Sequence, residues 1–148
     1  MHRLLTRRVR RLGLTSKVTW LNRLDAQTIV RELQACTTSV VPSRVDNSPN
    51  SLAEALIRGV ACVASNAGGI TSMVEDGVDG LLFESGDAES LAAALRRILG
   101  DDALRRSLGR AARERALKRH DPGAICEATL RCYESILARE RPSLPAQR

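Results

Sequence analysis

The sequence predicts an α/β fold in which a parallel, Rossmann-like sheet carries helices on both faces. Three observations support this fold class. Short runs rich in Val, Ile and Leu alternate with longer segments of helical periodicity. The run VACVAS at residues 60–65 is continuously apolar, as a strand buried on both faces should be. Turn and capping residues separate the segments, including Gly13, Asp25 and Gly59.

Local signals place each element in turn. A helix over residues 2–12 ends at Gly13, and the β-branched run KVTWL at 17–21 forms the first of four strands. Asp25 caps a helix over 26–35. The other strands are predicted at residues 37–43, 60–65 and 80–83. The other helices are predicted at residues 52–58, 71–75, 88–99, 102–120 and 124–140. Their boundaries carry stop and capping residues: Pro42, Gly59, Asp87, and Asp101 or Asp102. The last helix is expected to make apolar contacts through Ile125, Leu130, Tyr133 and Leu137.

Composition limits the class of protein. The 148 residues suffice for one domain with a real core, and 43% hydrophobic with 27% charged residues indicates a globular chain. No apolar run approaches the roughly 20 residues that span a bilayer, and the basic N-terminus lacks the core of a signal peptide. We therefore expect a cytoplasmic protein with at most peripheral membrane contact. Four cysteines without CxxC spacing predict buried free thiols.

The net charge of +6 comes mainly from arginines in residues 3–11 and 96–119. A basic balance is typical of proteins that bind nucleic acid, a membrane surface or a phosphate-bearing ligand. The chain holds three aromatic residues, and none is interleaved with the arginines to stack bases. We interpret the arginines as solvated helix faces and expect no nucleic-acid partner. A steep salt dependence of nucleic-acid binding would support that rival interpretation.

The stretch DNSPNSLAEALIRGV, residues 46–60, is the candidate site. Ligands of parallel sheets bind beyond the carboxyl ends of the strands, and this stretch follows the second predicted strand. A helix that begins there offers unpaired N–H groups and a partial positive charge to a phosphate or diphosphate. Side chains suited to sugar hydroxyls surround that helix start: Asp46, Asn47, Asn50, Ser51 and Glu54. Phosphate plus sugar hydroxyls describes a nucleotide sugar.

A structural interpretation of the same residues is equally open at this point. Ser51-Leu52-Ala53-Glu54 matches the capping box, in which Ser51 and Glu54 each accept from the other's N–H group. That would explain Glu54 without a ligand, but it would not explain Asp46. Gly68 and Gly69 either let the backbone approach a ligand closely or form a plain tight turn.

Two segments resemble the C-terminal half of a GT-B fold glycosyltransferase. SVVPSRVDNSPNSLAEALIRGVACVASNAGGI, followed by DGVDGLLFESGDAESLAAAL, is similar to the large retaining family 4, which uses nucleotide sugars. That family carries two acidic residues with seven between them, an E-A-x-A-x-G helix, a P-V-V-A-S strand, a G-G turn and a D-G-x-x-G-L-L strand. Here the acidic pair is Asp46 and Glu54, and the resemblance covers about residues 10–135.

The resemblance implies roles for the site residues. Glu54 would bind the ribose hydroxyls of the donor, and Asp46 would contact the transferred sugar. The backbone at Asn50, Ser51 and Leu52 would face the diphosphate. The donor would be UDP-, GDP- or ADP-linked, and the acceptor a saccharide, a lipid or a small molecule. Transfer would retain configuration without a metal or cofactor, with positive groups stabilising the leaving diphosphate. The resemblance identifies no catalytic residue.

Departures from the family pattern carry expectations of their own. The first acidic position is usually Glu, so Asp46 has a shorter reach; Thr71-Ser72 replace a common Pro-Glu, and Val60 replaces a common Pro. The resemblance implies that three parts of the family's fold would come before the position matched by residue 1: two strands, the Arg and Lys that hold the diphosphate, and the acceptor domain. We therefore expect residues 1–140 to be a partial glycosyltransferase C-terminal domain, inactive alone, and residues 141–148 a disordered tail. The rival is a non-catalytic module that binds a nucleotide sugar or complements a separately encoded N-terminal half.

Overall fold

The structure, a computed structural model, describes residues 2–139. Its α-helices are α1 (His2–Arg11), α2 (Ala26–Ala35), α3 (Asn50–Ile57), α4 (Ala88–Gly100), α5 (Asp102–Arg119) and α6 (Pro122–Arg139). Its strands are β1 (Ser39–Val41), β2 (Cys62–Ser65) and β3 (Leu81–Phe83). Two short 3₁₀ helices cover Thr15–Lys17 and Gly68–Ser72. The predicted tail at 141–148 lies outside the described residues.

The described chain falls into two compact units, one ending at Glu32 and one beginning at Leu33. In the first unit, α1 ends as predicted, because Gly13 adopts a φ of 67° and closes the helix with a left-handed residue. Helix α2 begins after Asp25, whose carboxylate accepts from the N–H of Thr28 at 2.7 Å, also as predicted. That backbone hydrogen bond is the main reason why the pKa of Asp25 lies below its ordinary value.

The predicted strand at 17–21 is wrong. Thr15–Lys17 is a 3₁₀ turn, and residues 18–22 have no regular structure. A β-branched run becomes a strand only where a second strand supplies hydrogen-bond partners, and in the described part of the chain no strand pairs with it. The predicted helix at 71–75 is also displaced, since a 3₁₀ helix begins three residues earlier, at Gly68.

The second unit is built on a parallel three-stranded sheet in the order β1-β2-β3. Strand β2 lies in the centre, and all its residues are buried, as its apolar run predicts. The register pairs Val63 of β2 with Val40 on one side and Leu81 on the other. Because the strands are parallel, their carboxyl ends meet at one edge of the sheet.

Helices cover both faces of this sheet, which confirms the predicted fold class. On one face, Cys62 belongs to a cluster with Leu52 of α3. On the other face, Val63 belongs to a cluster with Ile98 of α4. Helix α5 contributes to both clusters, through Leu108, Ala112 and Ala116. None of the helices in the described residues is long and apolar enough to cross a membrane.

Helix α6 differs from its prediction. It begins at Pro122, the first helical position, and the preceding Asp121 accepts from the N–H of Ala124 at 2.7 Å. Its expected apolar contacts are instead 49% to 65% exposed: Ile125, Leu130, Tyr133 and Leu137. Helical periodicity identifies an apolar face, but it does not show what covers that face.

The cysteines also differ from their prediction. Cys62 is buried, but Cys36, Cys126 and Cys132 are exposed, so the expectation of buried thiols is wrong for three of them. Burial raises the pKa of the Cys62 thiol from 9.0 to about 12, because a thiolate there would lose its hydration.

Thiol titration tests the difference in burial between Cys62 and the other three cysteines. We expect a thiol reagent at pH 8 to modify three cysteines at once and Cys62 only after unfolding. The raised pKa of Cys62 adds stability that is present below pH 9.0 and is lost as the pH rises towards about 12. The free energy of unfolding of Cys62→Ala should therefore fall less than that of wild type across that interval. Four equally fast thiols would contradict the burial of Cys62.

Candidate donor-binding site

Three loops meet at the carboxyl edge of the sheet. The acidic loop (residues 43–48) follows β1, the glycine turn (residues 66–69) follows β2, and residues 84–87 follow β3. The residues predicted from the sequence lie in the first two loops or at the start of α3: Asp46, Asn47, Asn50, Ser51, Leu52, Glu54, Gly68 and Gly69. This is the edge where parallel sheets bind ligands.

The carboxylate of Asp46 is half-buried and held at both oxygens. Its Oδ1 accepts from the N–H of Ser48 at 3.2 Å, and its Oδ2 accepts from the hydroxyl of Ser43 at 3.4 Å. A carboxylate has about four acceptor sites, so these two bonds leave capacity for a ligand hydroxyl. The side chain is therefore oriented without being saturated.

Helix α3 starts two residues earlier than predicted. Its N-cap is Pro49, which makes no side-chain cap and whose carbonyl accepts from the N–H of Leu52 at 3.0 Å. The Leu52 side chain is fully buried in the core. The N–H groups of Asn50 and Ser51 have no acceptor within the described residues. Two donors at the positive end of the helix dipole are thus available to an anion.

The capping box predicted as the alternative for Glu54 is wrong. Ser51 lies inside the first turn of α3, and no side chain caps this helix. Glu54 is exposed, and its carboxylate makes no hydrogen bond or ion pair with any residue that the structure describes. The purely structural explanation of Glu54 therefore fails, and its carboxylate is open to solvent.

The structure brings the glycine turn against the acidic loop. The N–H of Gly69 donates to the carbonyl of Asp46 at 2.9 Å. A Cβ on Gly68 would overlap the same carbonyl, and a Cβ on Gly69 would overlap that of Asn47. The requirement for glycine here comes from a contact between two loops, which neither sequence interpretation contained.

Sequence reasoning missed other polar groups at this edge. Asn66 links two loops, since its Nδ2 donates to Glu84 at 2.7 Å and its Oδ1 accepts from the N–H of Ser85 at 2.9 Å. Arg44 is an exposed cation on the acidic loop, without a partner among the described residues. The only signal for either was a polar residue shortly after an apolar run. Within residues 2–139, no group of three or more His, Cys, Asp or Glu is placed to hold a metal ion.

The fold and these loops define an α/β domain whose polar side chains and available helix N–H groups gather at the carboxyl ends of its strands, where parallel sheets bind ligands. The comparison with known families is more specific. The family model described as glycosyl transferases group 1 matches residues 3–115, and the chain belongs to this family.

Individual relatives agree with this assignment. The D-inositol 3-phosphate glycosyltransferase of Acidothermus cellulolyticus is 32% identical over 130 residues, which are 88% of this chain and 29% of that protein. The structure of sucrose-phosphate synthase from Thermosynechococcus elongatus matches with a TM-score of 0.84 at 30% identity, over 93% of this chain and 35% of that chain. HepE of Anabaena, solved in complex with UDP-glucose, matches with a TM-score of 0.83 at 26% identity, over 90% of this chain and 36% of that chain.

These matches confirm the resemblance to GT-B glycosyltransferases. They also show that the chain spans about a third of the length of the relatives it matches.

Proposed function

We propose that this chain carries the donor site of a retaining glycosyltransferase and binds a nucleotide sugar through the acidic loop and the start of α3. The observation that carries the proposal is the position of Glu54 and its uncommitted carboxylate. Glu54 lies early in a helix whose first N–H groups are available, it caps nothing, and seven residues separate it from Asp46. A capping carboxylate would have a structural role, and the Glu54 carboxylate has no such role among the described residues.

The chemistry of the ligand fits the groups present. Carboxylates accept hydrogen bonds from neighbouring hydroxyls, so we assign Glu54 to the ribose and Asp46, with Asn47 beside it, to the transferred sugar. The diphosphate is assigned to the N–H groups of Asn50 and Ser51. During transfer, the bond between the anomeric carbon and the diphosphate oxygen breaks, and the diphosphate keeps the electron pair. The acceptor oxygen then bonds to the anomeric carbon on the face that the diphosphate has left, and its proton passes to the departing diphosphate oxygen.

These N–H groups would act mainly on the leaving group. Negative charge grows on the diphosphate as the bond breaks, and donors already aimed at it need no rearrangement. The acceptor site is assigned to another part of a longer protein or to a separate chain, so the 148 residues alone are proposed to bind the donor without transferring sugar. The three exposed thiols favour a reducing compartment, and we propose the cytoplasm.

A second candidate is a complementing module of a split enzyme. Strand β1 pairs on one side only within the described residues, and Val40 on it is 38% exposed. An unpaired strand edge is a place where a strand of another chain can add. Turnover that appears only when a second chain with the acceptor domain is supplied would favour this candidate.

Calorimetry with nucleotides tests the proposed function. We would titrate UDP, GDP and ADP, and their hexose forms, into wild type and Glu54→Ala. Wild type is expected to bind one base in preference to the others. The affinity of Glu54→Ala should be at least tenfold lower, because a charge-assisted hydrogen bond contributes about 1.5–3 kcal/mol.

The matched control is Glu114→Ala, because Glu114 is an exposed glutamate on α5 whose carboxylate has no hydrogen bond or ion pair within the described residues. It should bind like wild type. Far-UV circular dichroism would show that both variants are folded. Equal affinity of wild type and Glu54→Ala for every nucleotide, or no binding by folded wild type, would refute the proposed donor site.

A further inference from the structure

A buried hydroxyl at the end of β2 holds the acidic loop in place. Ser65, the last residue of β2, is 1% exposed, and its Oγ donates to the carbonyl of Ser43 at 2.5 Å. A hydroxyl in such a position is costly unless it is hydrogen-bonded, so the bond specifies where Ser43 lies. The hydroxyl of Ser43 in turn donates to Asp46.

The glycine turn also contacts the acidic loop and fixes its backbone. The N–H of Gly69 donates to the carbonyl of Asp46, and there is no room for a Cβ on Gly69 beside Asn47. The hydroxyl of Ser48 also lies 3.7 Å from the sulfur of Met73, just after the Gly68–Ser72 turn. Contacts from two different segments therefore set the path of residues 43–48.

We propose that Ser65 and Gly69 are positioning residues that place the Asp46 carboxylate against the transferred sugar without touching the donor. This inference rests on the proposed function. An aspartate reaches one methylene less far than a glutamate, so its backbone must be placed more closely for the carboxylate to meet a hydroxyl. Gly69 thus acts through Asp46 instead of through a ligand contact.

Loss of these positioning contacts is expected to weaken binding of the transferred sugar but not binding of the nucleoside diphosphate. The start of α3, which is assigned to the ribose and the diphosphate, does not depend on the bond from Ser65. Ser65→Ala and Gly69→Ala should therefore change the affinity for the nucleoside diphosphate less than twofold. The affinity for the nucleotide hexose should fall at least fivefold. General destabilisation would not change the ratio of these two affinities in this way.

The experiment compares these two variants with Gly100→Ala. Gly100 ends α4, has no atom within 4 Å of a built Cβ, and does not have a positive φ, so it controls for the substitution itself. The ligand pair would be the UDP, GDP or ADP form that wild type binds best, with and without its hexose. Gly69→Ala forces backbone to move, and if it fails to fold, Ser65→Ala, which only deletes an oxygen, decides the outcome.

Hydrogen exchange measured without ligand tests the positioning role of Ser65 separately from the proposed donor site. The amide of Ser48, bonded to the Asp46 carboxylate, should exchange at least fivefold faster in Ser65→Ala and at the wild-type rate in Gly100→Ala. If wild type binds no nucleotide, the proposed function fails, and faster exchange still supports the role of Ser65 in placing Asp46. Two results would overturn the inference. The first is that wild type binds both ligands and the folded variants keep its ratio of affinities for the nucleotide hexose and the nucleoside diphosphate. The second is that the Ser48 amide exchanges at the wild-type rate in Ser65→Ala.

Discussion

Replacing Arg115 by alanine is expected to lower the free energy of unfolding by about 3 kcal/mol, since it leaves a buried carboxylate without its cation. That carboxylate is Asp79, which is 1% exposed and lies 3.0 Å from the Arg115 guanidinium. The Asp79 carboxylate also accepts from the N–H of Glu75, at 2.7 Å. Arg115 also pairs with the Glu75 side chain, but that pair is exposed and contributes at most about 1 kcal/mol.

Denaturant unfolding of a small set of variants measures this effect. Arg110→Ala is the matched control, because Arg110 is exposed on the same helix and its side chain has no partner among the residues that the structure describes; it should change stability by less than about 0.5 kcal/mol. In an Asp79→Asn background the loss caused by Arg115→Ala should shrink to about 1 kcal/mol, because no buried charge remains. Equal losses for Arg110→Ala and Arg115→Ala would show that the buried pair does not matter.

Replacing Gly109 by alanine is expected to destabilise the protein by about 2 kcal/mol, although alanine is the better helix former. Gly109 lies in α5 where this helix crosses the end of α3, and a Cβ there would overlap the carbonyl of Gly59. Both sides of the contact are backbone, so the helices must move apart. The overpacking cost of about 1–3 kcal/mol outweighs a propensity gain of at most about 1 kcal/mol.

Thermal or denaturant unfolding of Gly109→Ala and Gly100→Ala tests this balance. Gly100 has no atom near a built Cβ, so Gly100→Ala should leave stability unchanged or raise it by no more than about 1 kcal/mol. A gain of stability in Gly109→Ala equal to that in Gly100→Ala would mean that α3 and α5 do not meet closely at Gly59.

Much of the candidate site could be predicted from the sequence. The apolar strand before Asp46 and the helix start before Glu54 predicted that both residues lie near the carboxyl edge of the sheet. The capping box was the local alternative, and it failed because Pro49 starts the helix earlier and places Ser51 inside the first turn. The anchoring by Ser65 could not be predicted, because a serine at the end of a strand has many equivalent uses until its partner is known.

Interactions that span a few residues were determined by the sequence alone. The capping of α2 by Asp25 and of α4 by Asp87, and the closure of α1 by Gly13, each join residues within one or two helical turns. Such groups are near each other in any folded arrangement, so local rules identify them. The buried parallel strand β2 belongs here too, since its apolar run requires cover on both faces.

Only the tertiary structure decided the interactions between distant residues. KVTWL has a strand composition, but no strand of the described chain pairs with it, and the apolar face of α6 has a helical pattern but remains exposed. The contact of Gly69 with the acidic loop and the pairing of Asp79 with Arg115 join segments far apart in the chain. Their formation depends on how helices and loops pack against the sheet, and that packing is a property of the whole core rather than of any one segment.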